Sequence, residues 1–187
     1  MQRLCAGHDA ALNELMERHG GKLFHYLVRQ VGNEDDATDL AQETFVRIYK
    51  HRERFDPAHK FSTWLYTIAT NLSRDRLKWR SRRPEISLQT PIGDEGTELE
   101  AVLPDQKRSP DADLLLSERA QAVQRAIAGL STELREPLVM AEYENMATAD
   151  IAEVLGCTPK AVESKLYRAR LQLRARLAKW LETEPLR

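Results

Sequence analysis

The sequence predicts an all-α protein of two small helical domains joined by an acidic flexible linker, the second domain ending in a helix-turn-helix. Three observations carry this. Apolar residues recur at steps of three and four through both halves, and no stretch alternates as a strand would. The composition changes abruptly in the middle, where Pro84, Pro91, Pro104 and Pro110 interrupt a stretch rich in acidic residues. Finally, TADIAEVLGCTPKAVESKLYRARLQLRAR, from Thr148 to Arg176, reads as two helices around a tight turn.

In that last stretch Thr148 is placed to cap a first helix, Gly156 to end it in the left-handed conformation, and Thr158-Pro159 to supply a cap and first-turn proline for the next. Ala152 is small enough for close helix crossing, and Val162 is spaced to bury against the first helix. In the second helix Val162, Leu166, Ala169, Leu173, Leu177 and Trp180 form an inward stripe. The opposite face carries Lys160, Glu163, Ser164, Tyr167, Arg168 and Arg170, with Lys165 beside it. Residues near the start of such a helix reach base edges in a major groove, while arginines and lysines further along meet phosphates.

In chain order, Asp9 is expected to cap a helix to about His19, with Gly20-Gly21 breaking it before a second helix from Lys22 to Val31. After a Gly32 turn, Asn33 caps a helix expected to run on to Phe55. Its first turn is acidic, as the helix dipole prefers. Ala37, Leu40, Ala41, Thr44, Phe45 and Ile48 face inward, leaving Asp35, Asp36, Asp39, Gln42 and Glu43 as a surface suited to a basic partner. A turn at Phe55-Asp56-Pro57 leads through Lys60, Phe61, Ser62 and Thr63 into a helix with Trp64, Leu65, Ile68, Ala69 and Leu72 buried. Its exposed side carries Asn71, Arg74, Asp75, Lys78, Arg80, Arg82 and Arg83. Six of the ten residues from Arg74 to Arg83 are Lys or Arg, with Trp79 among them, a chemistry that suits phosphates and base stacking. Pro84 stops the helix.

The boundaries follow: a first domain over 1–84, an acidic linker over 85–112 and a second domain over 113–187. The second opens with a helix from about Asp113 to Leu130. Ser131 caps the next, to about Tyr143, which Pro137 either shortens or kinks. Net charge over all 187 residues is -1, but it is unevenly spread. Residues 1–83 carry 15 Lys/Arg against 11 Asp/Glu, residues 84–115 carry 2 against 8, and residues 116–187 carry 11 against 10. Local field governs phosphate binding, so near-neutrality overall does not exclude nucleic acid. No run approaches the roughly 20 apolar residues of a membrane span, and a cytoplasmic protein without membrane insertion is expected. Cys5 and Cys157 lack metal-ligand spacing, and the five histidines share none, so neither metal nor cofactor is expected.

Three strings, DATDLAQETFVRIY (Asp36–Tyr49), FSTWLYTIATNLSRDRLKWRSRR (Phe61–Arg83) and LSTELREPLVMAEYENMATADIAEVLGCTPKAVESKLYRARLQL (Leu130–Leu173), resemble in this order a bacterial RNA polymerase sigma factor of the extracytoplasmic-function type. The resemblance implies two helical domains with no catalytic centre, lending promoter specificity to core RNA polymerase. It sets Asp36, Asp39, Leu40, Gln42 and Glu43 where the family docks on the polymerase. Lys60, Ser62, Thr63, Asn71, Arg74, Asp75, Lys78, Arg80 and Arg82 fall where the family reads the −10 element of promoter DNA and holds a flipped base. Lys160, Glu163, Ser164, Lys165, Tyr167, Arg168 and Arg170 fall where it reads the −35 element. Many relatives carry a basic residue at Glu163, whose carboxylate can instead accept from cytosine N4. An anti-sigma factor is an implied further partner. Two other classes compete: a stand-alone helix-turn-helix regulator, and a helical enzyme built on Asp35, Asp36, Asp39 and Glu43.

Overall fold

The computed structural model describes residues 1–82 and 110–183, with side chains placed for 1–82 and 119–178. A short helix α1 (Gln2–Cys5), absent from the sequence expectation, inserts Leu4 into the core. Helix α2 (Ala10–Val31) then runs unbroken through Gly20-Gly21, where a break was expected. Neither glycine has a positive φ. Ala11, Leu15, Leu23, Tyr26, Leu27 and Val31 bury one continuous stripe, and that burial outweighs the roughly 1 kcal/mol by which each glycine disfavours a helix. Gly32, at φ 71°, ends α2 in the left-handed conformation. The Asn33 side chain then accepts the Asp36 N–H at 2.8 Å, capping α3 (Glu34–Lys50) as expected. Helix α3 stops at Lys50 rather than Phe55, and a 3-10 turn over Arg52–Arg54 leads to α4 (Phe61–Arg82).

The expected linker lies outside the described residues over 85–109. Residues 110–112, also assigned to it, belong to α5 (Pro110–Ala128), which begins on a proline well suited to a first helical turn. Helix α6 (Thr132–Glu142) follows, with Ser131 at its N-cap by backbone conformation and no side-chain cap bond. Pro137 neither shortens nor ends α6. It is buried between Leu134 and the fully packed Leu138, Val139 and Met140, and this packing holds the helix around the missing N–H. Helix α7 (Thr148–Leu155) is preceded by Ala147, so Thr148 is its first residue and not its cap. Gly156 adopts φ 63°, and Thr158 Oγ1 accepts the Ala161 N–H at 3.2 Å at the start of α8 (Pro159–Thr183). The turn chemistry read from Gly156, Thr158 and Pro159 is therefore present. Val162, Leu166 and Ala169 are buried, while Leu173 and Leu177 are half-buried.

Helices α1–α4 pack on one another, as do α5–α8, and the two groups then share one apolar core: α4 lies against α7, and α2 against α5 and α6. Alanine in place of Gly20 or Gly21 is expected to stabilise the protein by about 0.5–1 kcal/mol each, because no atom lies within 4 Å of the added Cβ and the chain there is plain helix. A higher midpoint in thermal denaturation checks this, and an unchanged or lower one contradicts the unbroken α2.

Candidate nucleic-acid and protein interfaces

Between α3 and α4 runs a groove of about 660 Å³. The helical spacing of Asp39, Leu40, Gln42 and Glu43 sets all four along one wall, and Leu72, Asp75, Arg76 and Trp79 of α4 line the other. Leu40 is 4% exposed, so it contributes to the core as well as to the floor. Val46 and Trp79, exposed by 41% and 44%, add apolar surface that the sequence reading did not assign to this face. Their signal was the position of Val46 one turn beyond Gln42 and Glu43 on an otherwise polar side of α3. Glu43 pairs with Arg47 at 2.8 Å. Asp36, expected to face a partner, is instead held within the chain: its carboxylate pairs with Arg76, and with Arg80 at 3.3 Å. Arg80 also donates to the Val31 carbonyl at 3.2 Å, so its guanidinium ties α4 to α2 and α3. Asp75 belongs to the groove rather than to the face that carries Arg74.

The remaining residues expected to read the −10 element divide in two. Asn71, Lys78 and Arg82 are exposed. Ser62 is half-buried and Thr63 is only 2% exposed, with its hydroxyl unpartnered. Two further cations of this face, Arg74 and Lys60, are engaged by carboxylates of the second half. Arg74 donates from Nε and Nη2 to the two oxygens of Glu136, at 2.7 and 2.6 Å, a fork-to-fork pair. Glu136, on α6, is 2% exposed. The carboxylate beside it raises the Arg74 pKa further above its already high ordinary value. Lys60 donates to Asp150 at 2.7 Å and His59 meets Glu153 at 2.7 Å, both acidic partners lying on α7.

The seam between the two halves continues at Tyr66, whose hydroxyl donates to Glu144 at 2.5 Å, and at Arg29, whose guanidinium stacks 4.0 Å over the Tyr143 ring. Beneath it Tyr26 meets Tyr66 edge to face at 5.0 Å and exchanges a 2.7 Å hydrogen bond with Thr70. Burial pushes both phenols well above the ordinary tyrosine range. Tyr66, Thr70 and Ser73, outside the buried stripe expected of this helix, are all buried in α4.

On α8, Lys160, Glu163, Ser164, Tyr167, Arg168 and Arg170 are exposed, Tyr167 by 70%. They form one accessible face, opposite the stripe of Val162, Leu166 and Ala169. Lys165 is half-buried and lies 3.8 Å from Glu133, which also sits 3.7 Å from Arg168. Arg170 pairs with Glu142 at 2.7 Å. Such pairs between exposed groups are weak and yield readily to a phosphate. Among the described residues no group of three His, Cys, Asp or Glu could hold a metal ion, and no helix is long and apolar enough to cross a membrane. The Cys5 thiol donates to the Arg52 carbonyl, and both cysteines are free.

Residues 15–83 match the model of Sigma-70 region 2, and residues 120–173 that of Sigma-70, region 4. Over 172 residues the chain is 30% identical to the ECF RNA polymerase sigma factor SigW of Bacillus subtilis, with 91% of each chain covered. The chain belongs to the ECF RNA polymerase sigma factors. It is also 34% identical to the RNA polymerase sigma-H factor of Pseudomonas aeruginosa, over 91% of this chain and 88% of that one. Its fold is similar to that of CnrH in complex with the cytosolic domain of CnrY, with a TM-score of 0.69 and 27% identity over 95% of this chain and 94% of that one. The sigma factor RpoE of Bartonella quintana, solved in complex with the anti-sigma factor NepR, shares the fold with a TM-score of 0.67 over 89% of this chain and 96% of that one. Both sigma-factor regions are thus present, region 2 before region 4.

Glu144 gives the seam a pH dependence. Burial raises its carboxyl pKa above the ordinary 4.5, against the opposing effects of the Tyr66 hydrogen bond and of Arg29, Lys22 and His25. A carboxyl whose pKa is raised on folding contributes stability that is fully present below its unfolded value and is lost as pH rises through the folded one. Relative to the wild type, Glu144→Gln should therefore gain thermal stability as pH climbs above 4.5. Parallel melting curves for the two proteins across that range would contradict it.

Proposed function

We propose that this sigma factor docks on core RNA polymerase through the α3–α4 groove and directs it to promoters by reading two separated DNA elements. The assignment of α8 to the −35 element rests on its accessible face, in which Lys160, Glu163, Ser164 and Tyr167 occupy the first turns and Arg168 and Arg170 follow. Base edges are read from the start of such a helix and phosphates further along it. The −10 element falls to α4 and the turn before it, through Lys60, Ser62, Thr63, Asn71, Arg74 and Lys78, with the basic end at Arg80 and Arg82 tracking the backbone. Extruding a base costs a few kcal/mol, which a pocket and phosphate contacts of this kind offset.

The single observation that carries the reading is the spatial separation of the two candidate surfaces: a mixed acidic and apolar groove on α3–α4, and a polar and basic face on α8. The groove suits a basic, partly apolar protein surface, and the other face suits duplex DNA. The division into 1–84, a connector over 85–112 and 113–187 follows from the same reading. Region 2 would serve docking and the −10 element, region 4 the −35 element, and the acidic connector would lie in a channel built for a phosphate backbone. No catalytic centre is required of the chain. The protein would work in the cytoplasm beside the polymerase, under an anti-sigma factor such as the one solved with the Bartonella RpoE.

Two sets of variants test the division of labour. Asp39→Ala with Glu43→Ala should lower affinity for core polymerase in a competition assay without altering which duplexes the resulting holoenzyme prefers. Arg168→Ala should lower holoenzyme affinity for duplex carrying the −35 element and reduce the slope of log affinity against log salt by about 1, with core affinity unchanged. Loss of core binding in the Arg168 variant, or no loss in the Asp39 and Glu43 variant, contradicts the assignment.

A further inference from the structure

Helix α6 packs against α8 and brings a carboxylate to each side of its exposed face. Glu133, the second residue of α6, lies 3.8 Å from Lys165 and 3.7 Å from Arg168. Glu142, the last, accepts from Nε and Nη2 of Arg170 at 3.1 and 2.7 Å. At about 100° per residue, Arg168 and Arg170 fall on opposite flanks of Tyr167 and Leu171, the exposed crest of α8. From such flanks the cations of a helix seated in a major groove meet the phosphates that border it.

The two carboxylates differ in kind. Glu142 engages two donors of the Arg170 guanidinium, which fixes the plane of the fork and leaves Nη1 for a phosphate. Glu133 is too far from Lys165 and Arg168 for a hydrogen bond, so it fixes the rotamer of neither. It contributes only its charge, and that charge opposes any phosphate brought to the same two cations. From this we infer that α6 sets the grip of α8 on the DNA backbone: Glu142 is a positioning residue that aims Arg170, and Glu133 is a restraint on the hold of Lys165 and Arg168. The inference deepens the assignment of α8 to the −35 element and rests on it. Phosphates are alike at every step of the duplex, so both effects are blind to sequence and leave the choice of bases to the first turns of α8. A restrained backbone hold keeps the stay on non-promoter duplex short, which a protein that must find few sites among many requires.

The test titrates reconstituted holoenzyme onto two short labelled duplexes, read by fluorescence anisotropy. One carries the −35 block of a promoter that the wild type uses, and the other carries the same bases scrambled. Glu133→Gln should tighten binding to both duplexes about threefold at low salt, the gain fading as salt rises. Glu142→Ala should weaken binding to both by about as much. The opposite signs separate these roles from a loss of folding, which would weaken both variants, and thermal melting establishes that each is folded. In an Arg170→Ala background Glu142→Ala should have no further effect, and with Lys165 and Arg168 both replaced by Ala the gain from Glu133→Gln should vanish. Carboxylate variants that shift binding in the same direction, leave it unchanged, or act on one duplex alone overturn the inference. So does an effect that survives removal of the partner cations. If Ser164→Ala and Arg168→Ala leave binding to both duplexes unchanged, the assignment of α8 to the −35 element fails instead, an outcome read without either carboxylate variant.

Discussion

The interaction on which the arrangement of this molecule depends is the forked pair between Arg74 and Glu136. Glu136 is 2% exposed on a helix otherwise packed with Leu134, Leu138, Val139 and Met140. A carboxylate in such surroundings is tolerated only with a geometrically good partner, and the partner comes from the other half of the chain. The pair is therefore less a source of stability than a condition on packing: α6 can lie against the first half only in the register that brings Arg74 to Glu136. Tyr66 with Glu144, and Lys60 with Asp150, then fall into place along the same seam.

How much of this was legible in the sequence depends on whether the deciding forces were local. The Asn33 cap, the Gly156 turn and the Thr158-Pro159 start are set by side chains and φ angles within a few residues, and they stand where the sequence put them. The stripe of Val162, Leu166 and Ala169 was equally plain. The glycine pair in α2 misled because its local penalty was overruled by burial of Leu15, Leu23 and Leu27 against distant helices. Pro137 was left open for the same reason: only the packing around α6 decides whether that helix survives the proline.

The candidate site shows the same split. Counting along α3 and α8 brought together Asp39, Leu40, Gln42 and Glu43, and the exposed residues from Lys160 to Arg170. It did not reveal that Asp36 is occupied by Arg76 and Arg80, that Asp75 belongs to the groove, that Arg74 and Lys60 pair with carboxylates of the second half, or that Thr63 is buried. Those facts arise from contacts across 40 to 90 residues of sequence, for which periodicity carries no signal. The resemblance to sigma factors assigned roles to these residues but not their state in the packed chain. What emerges is a protein with a groove and one candidate DNA face presented, while two cations of a second candidate face, Lys60 and Arg74, are paired across the seam.

Mapping transcript starts made by core polymerase reconstituted with this chain tests the account most directly. It predicts starts absent with core alone, preceded by two conserved sequence blocks at a constant separation. A chain that fails to associate with core, or starts that share no such blocks, would contradict it.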